Sequence, residues 1–119
     1  MLKKILMLAL FSAFITNAAA GEQLKICGRY YRPSYESWSK TYKLTAYRLN
    51  GTELNQTVSS ADYRSSQQYV VISWKRNDYT AIAVPPHWTG LKETVLEDQT
   101  GRSWRIVKGW RDCNKAAEP

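Results

Sequence analysis

Hydrophobic and polar residues alternate with a period of two in several short runs of this chain, which is the pattern of half-buried β-strands. In the run QYVVISWK, the residues Val70, Ile72 and Trp74 share one face. In the run SWRIVK, Trp104 and Ile106 share one face. No long helical period of apolar residues occurs after residue 20. The pattern therefore predicts an all-β fold.

Turn residues separate these runs and predict a series of hairpins. Asn50-Gly51 separates KLTAYRL from TELNQTV, and Asn-Gly is the strongest two-residue hairpin signal. Asn77-Asp78 and the longer turn Asp98-Gln99-Thr100-Gly101 separate two further pairs of runs. With QLKICGRY as the first strand, we expect a single small antiparallel β-barrel or sandwich of about six to seven strands.

Two segments interrupt the strand pattern. Residues 32–40 contain Pro33 and several serines, so we expect a loop rather than a central strand. Residues 59–67 are expected to form either a loop or one helical turn capped by Ser60. Pro85-Pro86 should end the fifth strand, and residues 87–90 should form the connection that follows.

The first twenty residues have the features of a secretory signal peptide. Lys3 and Lys4 precede an apolar run, and Ala18-Ala19-Ala20 fits the small-residue cleavage rule. The apolar run is shorter than the roughly 20 residues that span a bilayer. We therefore expect cleavage after Ala20, a secreted or periplasmic location, a single β domain over residues 21–119, and no transmembrane segment in the mature chain.

Both cysteines of the chain, Cys27 and Cys113, lie near the two ends of this domain. An oxidising compartment favours a disulfide between them. The chain has no Cys-x-x-Cys motif and only one histidine, so a cysteine metal site is not expected. The predicted disulfide would close almost the whole domain.

Aromatic and basic residues are concentrated in residues 28–48. Tyr42 alternates in phase with Leu44 and Ala46, which predicts that it belongs to the core. Tyr and Trp accompanied by Arg are favoured at binding surfaces, and alternation does not assign the loop residues Tyr35 and Trp38 to the core. The predicted binding residues are Tyr30, Tyr31, Arg32, Tyr35, Trp38 and Lys40.

The sequence offers few groups for catalysis. His87 is the sole imidazole, and no nucleophile elbow, His-Glu-x-x-His motif or glycine-rich phosphate loop is present. Glu97 and Asp98 are neighbours in a strand and should point to opposite faces, so they do not form a catalytic acid pair. We therefore expect a non-enzymatic protein without a cofactor or bound metal. A small secreted hydrolase that uses His87 as its base is the alternative.

The formal net charge of +7 includes Lys3 and Lys4, which the predicted cleavage removes. Exported proteins rarely meet nucleic acid, so we expect the basic surface to favour acidic proteins or anionic envelope polymers instead. The sequence predicts an exported binding protein, such as an inhibitor, an immunity-type protein or an envelope-assembly factor. A module that binds glycan or cell wall is the alternative partner class.

Overall fold

The computed structural model describes residues 21–58, 61–75, 78–111 and 113, and these form one curled, half-barrel antiparallel sheet. The predictions of an all-β fold and of six to seven strands are confirmed. The sheet order is β5–β4–β3–β1–β7–β6, and β2 pairs with β1. The described strands are β1 (Glu22–Arg32), β2 (Ser37–Trp38), β3 (Tyr42–Asn50), β4 (Gln68–Lys75), β5 (Asp78–Val84), β6 (Thr94–Glu97) and β7 (Ser103–Lys108).

Two of the predicted hairpins are present in the sheet. β4 pairs with β5, although Asn77 of the predicted turn lies outside the described residues. β6 pairs with β7 around the Asp98–Gly101 turn, where Gly101 has a φ of +86° that suits glycine. β5 ends at Val84, directly before the two prolines, as the sequence predicted.

The predicted hairpin at Asn50-Gly51 is wrong. Helix α1 (Gly51–Thr57) replaces the expected strand, and Asn50 is its N-cap. The Asn50 side chain accepts from the Glu53 amide at 2.8 Å, and the Glu53 carboxylate accepts from the Asn50 amide at 2.8 Å. This reciprocal capping box satisfies two backbone donors and begins a helix. The Asn50 side chain therefore caps a helix here instead of supporting a tight turn.

The two predicted loops differ in their outcome. Residues 32–40 contain a 3₁₀ turn (Pro33–Tyr35) and the two-residue strand β2, so this segment is more ordered than a loop. In the segment 59–67, the described residues 61–67 contain neither helix nor strand, as expected of a loop. Ser60, the predicted cap, lies outside the described residues.

Buried side chains lie on both faces of the sheet. The concave face carries a core that includes Leu24, Ile26, Ile72, Trp104 and Ile106. On the convex face, Leu54 of α1 packs with a second cluster of strand residues. Trp104 and Ile106 of β7 thus share one face, as the alternation in the last strand predicted. The concave core does not fill the half-barrel along its whole length. A cleft remains open at the end that carries Tyr42 and Trp74.

Trp88 and Arg48 cover the opposite end of the half-barrel. Trp88 is buried in the concave core. The Arg48 guanidinium donates to the backbone oxygens of Trp88 at 2.8 Å and Pro86 at 3.1 Å. No helix in the described part of the chain has the length and apolar character needed to cross a membrane.

The disulfide between Cys27 and Cys113 is present, so this prediction is confirmed. Both sulfur-bearing residues are buried, and their Cα atoms are 5.2 Å apart. The bond ties β1 to the segment that follows β7. It therefore fastens the strand at the centre of the sheet to the end of the described chain.

Candidate binding surfaces

Strand β1 divides the predicted binding residues between the two faces of the sheet. Tyr30 lies on the concave face, where it packs against the core. Tyr31 lies on the convex face, where its ring meets Trp38 of β2 at a centroid distance of 5.3 Å. The aromatic stretch is therefore two surfaces rather than one.

The convex surface is centred on Trp38, and we call it the Trp38 surface. Two guanidinium groups lie near the Trp38 ring, with the Cζ of Arg105 at 4.5 Å from its centroid and the Cζ of Arg29 at 5.8 Å. Such cation–π contacts hold a large ring in place beside positive charge. The surface consists of Arg29, Tyr31, Trp38 and Arg105, and the β1–β2 connection adds Arg32 and Tyr35 at its edge.

Two arginines of this surface carry an electrostatic conflict. Arg29 and Arg105 lie directly opposite each other on β1 and β7. Like charges in this position destabilise a sheet. Glu93 compensates in part, with an oxygen 3.4 Å from Arg29. Arg29 is only 6% exposed, and its Nε has no hydrogen-bond partner among the described residues. The surface therefore keeps an excess of positive charge.

Tyr35 is the most accessible part of the Trp38 surface. Its side chain is 73% exposed, and the Arg32 guanidinium carbon lies 4.9 Å from its ring centroid. Arg32 also donates to the Ser37 hydroxyl at 3.0 Å and to the Trp38 carbonyl at 3.3 Å. The arginine thus fixes the short β1–β2 connection and supports an exposed ring.

The open end of the half-barrel forms a second candidate site, which we call the mouth cleft. It has a volume of about 460 Å³. A row of rings crosses it, with centroid distances of 6.2 Å from Tyr42 to Tyr30, 5.3 Å from Tyr30 to Trp104, and 6.2 Å from Trp104 to Trp74. Asp78, Asp98 and Arg102 are among its polar lining residues.

Asp98 organises one wall of the mouth cleft. Its carboxylate accepts hydrogen bonds from the Thr100 amide and hydroxyl, the Arg102 amide and the Trp104 indole. Burial by itself raises the pKa of Asp98, but these hydrogen bonds outweigh it and hold the pKa below its usual range. Asp98 is therefore an ionised structural acceptor at neutral pH.

Tyr30, Tyr42 and Lys40 meet at the rim of the mouth cleft. The Lys40 ammonium lies 5.2 Å from the Tyr42 centroid, and the Arg102 guanidinium carbon lies 5.0 Å from the Tyr30 centroid. Burial and the neighbouring Tyr30 hydroxyl raise the pKa of Tyr42, so its phenol stays protonated at neutral pH. Tyr42 is half-buried on the face of Tyr30, as its alternation predicted, but neither core cluster includes it, so the prediction that it belongs to the core is wrong.

The groups considered for catalysis do not converge. His87 is exposed, and within the described ranges no hydrogen bond or ion pair involves its imidazole. Glu97 is exposed, whereas Asp98 is engaged in its turn. No group of three or more potential metal ligands occurs in the part of the chain that the structure describes. The hydrolase alternative remains a prediction.

Several residues of these surfaces were not predicted from the sequence. Arg29 and Arg105 join the Trp38 surface because β1 and β7 are neighbours. Trp74 and Trp104 join the mouth cleft because β4 and β7 both pass the open end. Period-two alternation could have separated Tyr30 from Tyr31, but it does not tell which strands are adjacent.

Comparison with known proteins gives no functional assignment. No protein-family model, curated protein or solved structure matches this chain. The functional argument therefore depends on the chemistry of the two surfaces.

Proposed function

We propose that this chain is a small exported binding protein without enzymatic activity, and that the Trp38 surface recognises an acidic region of another protein. The observation that carries the proposal is the opposed pair Arg29 and Arg105, in which the Glu93 carboxylate pairs with Arg29 at 3.4 Å. A partner that brings carboxylates to this surface would offset the repulsion between the two cations.

The composition of the surface supports the same reading. Tyr, Trp and Arg are the residues most enriched at interface hot spots. Trp38 and Tyr35 both lie over arginines, so their rings are positioned before a partner arrives. Positioned side chains lose less conformational entropy on binding. The Trp38 surface therefore combines positive charge with ordered aromatic area.

Export is part of the proposal. Disulfides persist in oxidising compartments, and the Cys27–Cys113 bond agrees with such a location. The first twenty residues carry the sequence features of a cleaved signal. Mass spectrometry of the exported protein should find Gly21 at its N-terminus. An intact Met1 terminus on the exported form would contradict this part.

Capture from a cell-envelope extract tests the partner class. We expect the tagged, disulfide-bonded protein to retain one polypeptide in near-stoichiometric amount and to release it as salt rises. Tyr35→Ala should weaken retention by ~2 kcal/mol without changing the melting temperature, because this ring is exposed. Arg105→Gln should weaken retention and its dependence on salt.

Matched controls lie outside the Trp38 surface. Leu91→Ala removes another strongly exposed apolar side chain, and Lys108→Gln removes another positive charge of β7. Both variants should retain the partner as the unmodified protein does. If the Tyr35→Ala and Arg105→Gln variants retain as much partner as the unmodified protein does, the proposal is contradicted. Retention on insoluble cell wall that free sugar releases, and that Tyr35→Ala and Arg105→Gln abolish, would favour the glycan alternative for this surface.

A further inference from the structure

The mouth cleft has a chemistry of its own that the Trp38 surface does not share. We infer that it is a binding site for a neutral saccharide, with one pyranose ring packed on Trp74 and the sugar hydroxyls facing the polar rim. The two sites lie on opposite faces of β1, so this inference does not depend on the proposed protein partner.

The shape of the cleft suits a small ligand. Its volume of about 460 Å³ falls within the range of roughly 300–1,000 Å³ typical of small-molecule sites. Such sites are often found in the mouths of β-barrels. Strands from both halves of the sheet contribute to the walls, with Thr80 of β5 on one side and Trp104 of β7 on the other. The cleft is therefore part of the folded sheet and not a gap between mobile loops.

Trp74 is the residue that points most directly to a ligand. It is 41% exposed, and the β4–β5 register shifts between Ser73 and Lys75, so Trp74 is the extra residue of a bulge. Bulges commonly re-aim a side chain beside a functional site. The Trp74 indole N–H already donates to the Thr80 hydroxyl at 2.8 Å. Trp74 therefore offers a ligand the surface of its ring.

The floor of the cleft is rigid. Trp104 is only 2% exposed, stacks with Trp74, and donates its indole N–H to Asp98 at 2.9 Å. A ligand would meet aromatic surfaces that are already in place, which lowers the entropic cost of binding.

The charges of the cleft favour a neutral ligand. Arg102 and Lys40 lie over the rings of Tyr30 and Tyr42, which leaves a cationic ligand without those faces and beside two positive charges, to which Arg32 adds a third that acts on the Tyr42 phenol. Asp78 and Asp98 line the same cleft and repel an anion. The Asp98 oxygens are also occupied by their internal hydrogen bonds. Neither sign of charge is therefore well accommodated.

A saccharide complements both the exposed aromatic ring of the cleft and its polar rim. One face of a pyranose presents C–H groups with partial positive charge, which pack on the electron-rich face of an indole. Its hydroxyls can donate and accept, so they can pair with Asp78, Thr100 and Arg102 around the rim. A wholly apolar ligand would leave such rim groups unpaired, at a cost in binding free energy.

Titration calorimetry and nitrogen–proton NMR of the disulfide-bonded protein test the inference with cellotriose, maltotriose and N-acetylchitotriose as probes. We expect at least one of these neutral trisaccharides to bind and to shift the indole N–H signals of Trp74 and Trp104. Trp74→Ala should reduce its affinity about tenfold or more, and Trp74→Phe should recover much of the loss. Tyr35→Ala and Leu91→Ala should leave the affinity unchanged.

Three results would overturn the inference. The first is no binding of any trisaccharide at millimolar concentration to the unmodified protein. The second is binding that persists unchanged in Trp74→Ala. The third is preference for a charged probe, tested with choline as the cation and adenosine monophosphate as the anion. Because Tyr35→Ala separates the two surfaces, failure here is distinguishable from failure of the proposed protein partner.

Discussion

Asp98 shows how one side chain joins local turn structure to a distant surface. Through its oxygens it accepts from Thr100 and Arg102 in the turn and from Trp104 in β7. Hydrogen bonds to a charged acceptor are stronger than those between neutral groups. The turn that reverses the chain therefore also fixes the floor of the mouth cleft.

Asp98→Asn should lower the free energy of unfolding by ~1.5 to 3 kcal/mol at pH 7, the range for hydrogen bonds to charged groups. The amide can still accept from the turn, but its NH₂ group faces the Trp104 N–H. Hydrogen bonding lowers the pKa of Asp98, so its stabilisation is complete above the usual carboxyl range near pH 4. The difference between the two proteins should then shrink as the pH falls further.

Denaturant unfolding at pH 7, 5, 4 and 3 measures this difference. Glu97→Gln provides the control, because Glu97 is the exposed neighbour of Asp98 in the chain. We expect Glu97→Gln to change stability by less than about 0.5 kcal/mol. A stability gap between the unmodified protein and the Asp98→Asn variant that stays constant from pH 7 to pH 3 would contradict the assigned role of the carboxylate.

Residue by residue, the sequence predicts which face a strand residue occupies better than it predicts the contacts. The period of two correctly places Leu44 and Ala46 at the concave core, but Tyr42 in the same phase lines the mouth cleft instead of joining that core. The same period separates Tyr30 from Tyr31, whereas their closeness in sequence suggested one joint surface. Contacts such as that between Trp38 and Arg105 connect residues far apart in sequence, so periodicity does not reveal them.

Helix α1 shows why an element can be misassigned from a strong local signal. Asn-Gly favours a hairpin turn, but Asn50 followed by Glu53 also matches a capping box. Packing with other segments decides between the two. Leu54 of α1 is fully buried on the convex face, and Gly51 donates to the Gln67 carbonyl at 2.9 Å. These contacts with later residues favour the helix.

Gly51→Ala should therefore be strongly destabilising, for a steric reason. A Cβ at Gly51 would lie 1.7 Å from the Arg64 backbone oxygen, so α1 or the 61–67 segment would have to move. We expect a loss of ~2 to 3 kcal/mol, the upper part of the range for overpacking. Urea denaturation measures it through the midpoint concentration.

Gly101→Ala is the matched control for Gly51→Ala. Gly101 has a φ of +86°, but within the described structure no atom lies within 4 Å of the position that an added Cβ would take. Its cost should be the backbone strain alone, ~1 to 2 kcal/mol. A Gly51→Ala protein as stable as the Gly101→Ala protein would show that α1 does not pack closely on Arg64.

At the scale of the whole molecule, the approach of β5 to β6 creates the mouth cleft. An isolated bridge joins Ile82 to Asp98. The Gln99 side chain accepts from the Ala81 amide at 2.8 Å and donates to the Tyr79 carbonyl at 3.0 Å. One side-chain amide thus pairs with the edge of β5 as a neighbouring strand would.

Gln99→Ala should weaken the contact between β5 and the turn after β6 without unfolding the sheet. The Ala81 amide loses its acceptor, so its hydrogen exchange should accelerate markedly relative to amides in the β1–β3 ladder. Global stability should fall by only ~1 kcal/mol, the usual net value of a neutral hydrogen bond. Exchange at Ala81 that is unchanged in Gln99→Ala would contradict the role of Gln99 in closing the sheet.

The Cys27–Cys113 disulfide constrains nearly the whole described chain, because its cysteines are separated by 86 positions. A cross-link over so long a loop stabilises mainly by reducing the entropy of the unfolded chain, and removing one from a small secreted domain typically costs ~2 to 5 kcal/mol. We expect the Cys27→Ala/Cys113→Ala protein to melt roughly ten degrees or more below the unmodified protein. Reductant should lower the melting temperature of the unmodified protein and leave that of the variant unchanged. Equal melting temperatures of the unmodified protein and the variant without reductant would show that the bond adds no stability. Alkylation of Cys27 or Cys113 in the native protein without reductant would show that the thiols are not bonded.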